Sequence, residues 1–471
     1  MRKCFYITVV TLIVCLNNFV FCQEQNLRFR HLTVDNGLSH TDATSIIQDS
    51  HGFIWIGTYS GLNRYDGYNT KVYYNNTDGT SSAYLNRISS LALGNNNNIW
   101  LATEGGLALF SLTNMKFQNI INSTTKQKIN NKEPITKVFF ADNKLFAFTN
   151  KSLTIFQVNS NNELLEIKVS TNQIVFPITD VTQDAFGNVY ISQQNGLSIF
   201  NKTLQQKLVV IDKVTPQITA LYHTNNQLYF STLKGLFLFD SLFVKTLFQN
   251  NQNETLYNSN TSKLLFLYPQ NFNVPSSIVK DRNNNFWLAN TQSLCFLQNK
   301  SNKLEIIKSK ELNKSSLSSN STSSLFIDRT DCLWALTFGG GVNIADLNQK
   351  PFYLLQKDPT TINTISGNYI RAIIEDNQEN IWIGTRNNGL NYYNFKTGTN
   401  TQFSTTNASL LSNNIRSLAL DKTNLLWIGS DIGLSVKYPN GSIENIKINN
   451  TQTKLLAGNF FGLAVDKFNH I

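Results

Sequence analysis

The sequence predicts an all-β chain: a seven-bladed β-propeller followed by the first blades of a second, truncated one. Three observations carry this. All six tryptophans stand in one recurring phrase with a period near 45 residues. Each period holds short apolar runs separated by Asn, Asp and Gly, the mark of strands joined by tight turns. No stretch keeps a 3.6-residue apolar rhythm, which removes a helical solenoid of similar period.

The phrase is clearest at Asp49–Leu62, with Ile54-Trp55-Ile56-Gly57-Thr58 and then Gly61-Leu62. It returns around Trp382 and Trp427 and, more loosely, around Trp100, Trp287 and Trp334. The gap from Trp100 to Trp287 is 187 residues, room for three further copies. These have Leu145, Tyr190 and Tyr229 where Trp is expected. A tenth copy begins at Leu463 and stops at Ile471, one residue before its expected Trp, so the chain reads as a fragment.

Within one period the runs Ile88–Leu93, Ile99–Ala102, Leu107–Phe110 and Met115–Ile120 predict the four antiparallel strands of a blade. The Asp or Asn cluster supplies the turn between the first two strands. The Trp buries area between neighbouring blades. The Gly two residues after it lets adjacent sheets approach. The Gly-Leu pair turns the chain into the third strand. Trp55, Trp100, Trp287, Trp334, Trp382 and Trp427 are therefore structural.

Composition agrees. At 41% hydrophobic the 471-residue chain is too apolar for disorder, and at 15% charged it is poor material for long helices. The net charge of +10 is spread without a run of five basic residues, which argues against nucleic-acid contact. Residues 1–22 read as a signal peptide: Arg2 and Lys3, an apolar Phe5–Leu16, and a cleavage site at Cys22. The mature chain then keeps only Cys295 and Cys332, too few for a disulfide framework and read as two separate buried thiols.

At these repeats, and at the opening Phe29-Arg30-His31-Leu32-Thr33-Val34-Asp35-Asn36-Gly37-Leu38-Ser39-His40, the chain resembles the two-component regulator propeller family. That resemblance implies the periplasmic sensor of a hybrid two-component system, as in gut and marine Bacteroidetes. There, two seven-bladed propellers precede an immunoglobulin-like domain, a membrane span and a histidine kinase. It further implies an oligosaccharide ligand, membrane anchoring by a C-terminal segment outside these residues, and a homodimer in the full-length protein. A diguanylate cyclase or a DNA-binding domain is an alternative output. Counting repeats divides the chain the same way. Residues 23–350 hold seven copies, and 351–471 hold about two and a half, opened by Lys350-Pro351-Phe352-Tyr353-Leu354-Leu355.

No catalytic constellation appears, and the residues imply no cofactor and no metal. None of the five histidines has metal-ligand spacing to another His or Cys. Gly339-Gly340-Gly341 takes the blade-turn position and is not read as a phosphate loop. Propeller sialidases space Asp five residues before Trp, whereas here the spacing is six. In a propeller, the loops entering first strands share a face with those joining second and third strands, and ligands meet such loops. Candidates for ligand contact are Tyr59, Arg87, Glu104, Phe338, Arg371, Arg386, Asn387, Arg416 and Asp431. Arg and aromatic side chains suit sugar hydroxyls, carboxylates and sulfates. The rival readings are a secreted polysaccharide lyase or hydrolase, which needs clustered acid and base groups, and an interaction scaffold, which needs no polar pocket.

Overall fold

Apolar runs of four to seven residues, broken by residues that accept left-handed backbone, leave short strands as the economical structure. The computed structural model describes residues 27–76, 83–95, 97–129, 133–169, 174–194, 196–210, 217–240, 254–256, 262–311, 313–349, 354–358, 363–446 and 458–471. The expected signal peptide and the Lys350–Tyr353 segment lie outside them. The chain divides into two compact units, Met1–Lys350 and Pro351–Ile471.

The described residues of the first unit form seven sheets. Sheet one runs Ala43–Gln48, Ile54–Thr58, Gly61–Tyr65 and Thr70–Tyr73. Sheet two runs Ile88–Gly94, Asn98–Thr103, Gly106–Ser111 and Lys116–Gln118, close to the four runs read from the sequence. Sheets three to six start at Lys137–Ala141, Val181–Gln183, Ile218–Thr224 and Ser277–Lys280. Sheet four gains a parallel strand, Glu254–Leu256, that the sequence pattern did not suggest. Sheet seven has Thr322–Ile327, Cys332–Thr337 and Gly341–Asp346, and takes its fourth strand, Arg30–Leu32, from the start of the chain.

The first strands of these sheets touch in a cycle, one to two through six to seven, and seven back to one. Pairing of Arg30–Leu32 with Gly341–Asp346 closes the ring and removes a free sheet edge. Gly341 explains why a glycine run stands there. Its φ is +71°, and a Cβ would collide with the Leu32 carbonyl.

In the first unit each Trp lies in the seam to the next sheet. Trp55 packs with Leu91, Ile99 and Phe110 of sheet two, and Trp334 with Ile46, Ile54 and Tyr65 of sheet one. Leu145, Tyr190 and Tyr229 are buried where Trp is replaced. Gly57 permits the close approach, since a Cβ there would stand 2.6 Å from Ile88 Cγ2.

The Asp six residues before Trp does more than turn the chain. Asp49 Oδ1 accepts the backbone N–H groups of His51 and Phe53, while Oδ2 accepts Trp55 Nε1–H at 2.7 Å. The same clip recurs at Asp281–Trp287 (3.3 Å), Asp328–Trp334 (2.8 Å) and Asp421–Trp427 (3.1 Å). Tyr190 donates its hydroxyl to Asp184 likewise. Sheet two has Gly94 at this place, and the buried Trp100 Nε1–H has no partner.

At five of the seven seams of the first unit, a hydroxyl in or just before a first strand donates across to the next sheet. Thr44 donates to the Ile88 carbonyl (2.7 Å), Ser89 to Ile135 (2.8 Å), Thr179 to Ile218 (2.6 Å), Ser276 to Ser323 (3.1 Å) and Ser323 to Ala43 (3.2 Å). Each hydroxyl stands eleven residues before its Trp or Tyr.

The second unit has sheet eight, Ile370–Glu375, Ile381–Thr385, Leu390–Asn394 and Thr399–Phe403, and sheet nine, Ile415–Leu420, Leu426–Ser430, Leu434–Lys437 and Ile443–Asn445. Their first strands are in contact. Trp382 is buried with Leu418, Leu426 and Ile428, but Trp427 is only half-buried. Residues 458–471 contain no strand, yet Asp466 already accepts the Phe468 and His470 backbone N–H groups in the recurring turn. Cys295 and Cys332 are both free; Cys295 is buried, and Cys332 is half-exposed rather than buried as expected.

Candidate functional site

Four of the nine predicted contact residues gather at one place on the first unit. Tyr59 and Glu104 sit in the loops joining second and third strands of sheets one and two, and Arg87 directly precedes the first strand of sheet two. The backbone sets them: Glu104 N–H donates to the Arg87 carbonyl at 3.1 Å, and Gly105 N–H to Tyr84 at 3.0 Å. Thr58 Oγ1 accepts Ser60 N–H and donates to the Gly61 carbonyl, which fixes the Tyr59 turn.

The Arg87 guanidinium then lies 5.3 Å from the Tyr59 ring centroid and pairs with Glu104 Oε2 at 3.0 Å. Phe338, from the equivalent loop of sheet seven, brings its ring to 6.5 Å from Tyr59, and the His40 ring stands at 6.0 Å. A cleft of about 470 Å³ opens beside them, lined by Tyr59, Tyr84, Arg87, Glu104, Pro134 and Asn150 among others. Arg87 and Glu104 are each about two-fifths exposed (43% and 40%), so the pair is available to a solute. The cluster offers a flat aromatic surface beside a donor fork and an acceptor, the combination that holds a ring bearing hydroxyls.

Sequence reasoning missed His40, Tyr84 and Asn150. Asn150 lies in the loop between Lys144–Phe148 and Leu153–Val158, the counterpart of the Tyr59 and Glu104 loops, so aligning the weak third copy would have found it. Tyr84 belongs to the short helix Ala83–Asn86, which has no counterpart among the described residues of the other repeats.

The remaining five candidates belong to the second unit. Arg371 and Arg416 stand in first strands, at the bulges Ile370/Ala372 and Ile415/Ser417, rather than in loops. Eleven residues before their Trp, they occupy the place that the seam hydroxyls take in the first unit. Arg371 donates to Asn414 Oδ1 (3.3 Å), and Asn414 Nδ2 donates to Asp431 Oδ2 (3.0 Å). A hydrogen bond from Ser412, then those from Asn414 and the field of Arg416, hold the Asp431 carboxyl below its ordinary range against partial burial. Arg416 covers the Phe461 ring at 4.4 Å. Arg416 Nε and Asp431 Oδ1 are buried without hydrogen-bond partners. Arg386 and Asn387 are exposed, and the Arg386 N–H donates to the Tyr369 carbonyl. Arg371, Arg416 and Asp431 thus share one network, and Arg386 and Asn387 stand outside it.

Among the described residues, no group of three His, Cys, Asp or Glu side chains is placed to hold a metal ion. Among them, no helix is long and apolar enough to cross a membrane.

Residues 37–60, 364–387 and 409–431 match the family described as two component regulator propeller. A stretch of 60 residues is 40% identical to histidine kinase P4 of Formosa agariphila, covering 13% of this chain and 4% of that protein. Solved structures give the fold. One is described as the extracellular domain of a one component system of B. thetaiotaomicron; it is 19% identical with a TM-score of 0.53, over 91% of this chain and 55% of that one. Another, from a hybrid two component system of the same organism, is 20% identical with a TM-score of 0.53, over 89% of this chain and 67% of that one. The chain therefore spans little more than half the length of the first of these domains.

Proposed function

From a chain that carries two-component regulator propeller repeats, we infer the ligand-sensing, extracytoplasmic part of a membrane-anchored hybrid two-component sensor. In this reading residues 1–22 direct export, 23–350 are one closed propeller and 351–471 begin a second. The signal passes to a histidine kinase outside these residues. The ligand is an oligosaccharide, and the full-length protein sits in the inner membrane as a homodimer.

The observation that supports a ligand role most directly is the exposed Arg87–Glu104 pair set against Tyr59 at the edge of a cleft. A partly exposed ion pair adds little to stability, so its value lies in what it presents. Signalling then requires only that the ligand bind one arrangement of the receptor better than another. Calorimetric titration against a panel of neutral and charged glycan fragments tests this. One or more fragments should bind, and Arg87→Ala should weaken them by roughly tenfold, the loss of one charge-assisted contact. Failure of every fragment to bind would overturn the reading.

A further inference from the structure

The seam between sheets eight and nine departs from its counterpart between sheets one and two. In the first unit, Phe110 fills that seam, 5.3 Å from Trp55 and 5.0 Å from Tyr73. Strand register identifies the equivalents. Phe110 pairs with Ile99, just before Trp100, and Lys437 pairs with Leu426, just before Trp427. Tyr73 faces Leu62, and Phe403 faces Leu390. Lys437 therefore stands where Phe110 stands, its Nζ 5.0 Å from the Trp382 ring centroid and 5.5 Å from Phe403.

A slender amine replaces a ring, and the space is not filled. A cavity of about 340 Å³ remains, lined by Trp382, Tyr392, Phe403, Lys437, Gln378 and Asn424 among others. At the sheet one–two seam the lining of the outer cleft ends at Phe110 and Tyr73 and does not include Trp55.

The charges within are unequal in their commitments. Asp376 is spent on the wall, accepting the Gln378 and Asn380 backbone N–H groups, the Asn380 amide and the Tyr392 hydroxyl. Lys437 makes one long bond, to the Tyr438 carbonyl at 3.4 Å, and no carboxylate of the described residues lies within ion-pair distance of it. Burial pushes its ammonium below the ordinary lysine range.

We propose that this cavity binds an anionic pyranose, with its carboxylate or sulfate on the Lys437 ammonium. The volume exceeds that needed by an inorganic ion. The amides of Asn377, Gln378 and Asn424 at the rim suit ring hydroxyls, and Lys437 repels a cationic ligand. The assignment is a second site, separate from the Arg87 cluster, and rests on the oligosaccharide reading only for its choice of a sugar.

The test is calorimetric titration of the 471-residue chain with sodium D-glucuronate, D-glucose and sodium sulfate. Glucuronate should bind saturably and the other two markedly less. Lys437→Phe, which restores the ring of the first unit, should weaken glucuronate by roughly tenfold or more while leaving Tm unchanged or higher. Lys437→Arg should retain binding, and so should Lys396→Ala, which removes an exposed lysine of the same unit outside the cavity lining. Glucuronate binding indifferent to Lys437→Phe, or lost in Lys396→Ala, overturns the site. Equal binding of sulfate or glucose overturns the sugar-acid assignment. Absence of glucuronate binding overturns this inference alone, since the glycan panel judges the sensor reading separately.

Discussion

The Asp–Trp clip shows how much one residue pair carries. A single carboxylate satisfies two turn amides and one buried indole, so losing the indole leaves an acceptor without its donor. Trp100 is the internal control, because Gly94 gives its N–H nothing to meet. Both Trp→Phe changes remove similar volume, but only Trp55→Phe strands a carboxylate oxygen. Urea unfolding should therefore find Trp55→Phe more destabilising than Trp100→Phe by about 1–3 kcal/mol; equal losses would refute the role of the clip. The six-residue spacing was visible in the sequence, yet read as a turn and as a departure from the sialidase register, not as a bond. Sequence shows that Asp and Trp recur together, not that the ring nitrogen points at the carboxylate. The seam hydroxyls were missed for a related reason. Arg371 and Arg416 stood out eleven residues before Trp because they are charged, while Thr44 and Ser89 at the same spacing look like ordinary polar filler.

At the scale of the element, the approach of neighbouring sheets is set by a missing side chain. A Cβ on Gly384 would stand 2.5 Å from Ile415 Cγ2, across the seam between sheets eight and nine. Gly384→Ala should cost about 1–3 kcal/mol through overpacking. Pairing it with Ile415→Ala should recover part of that loss, a non-additivity expected of contacting residues. Gly458→Ala, where a Cβ meets nothing within 4 Å, should be close to neutral. Additive Gly384 and Ile415 effects would show that the seam does not depend on this contact. Strands were the most legible part of the sequence, since the turn residues bounding them, such as the Asn cluster before Ile99, are local signals. The parallel strand Glu254–Leu256 was not legible, because its partner is chosen by tertiary placement.

For the whole molecule, ring closure decides which loops become neighbours. Phe338 and Tyr59 are 279 residues apart in the chain, yet they meet because sheet seven borders sheet one. Repeat counting brought those loops into consideration, and the fold brings four of the nine candidates together. Tyr84 could not be anticipated, since the helix carrying it interrupts the repeat. In the proposed function, ligand meets the first unit at this cluster. Hydrogen–deuterium exchange, with and without the tightest-binding glycan fragment, tests the location directly. Protection is expected in the loops carrying Tyr59, Arg87, Glu104 and Phe338, with the Asp49–Phe53 turn unchanged. Protection of that turn, with those four loops unaffected, would contradict it.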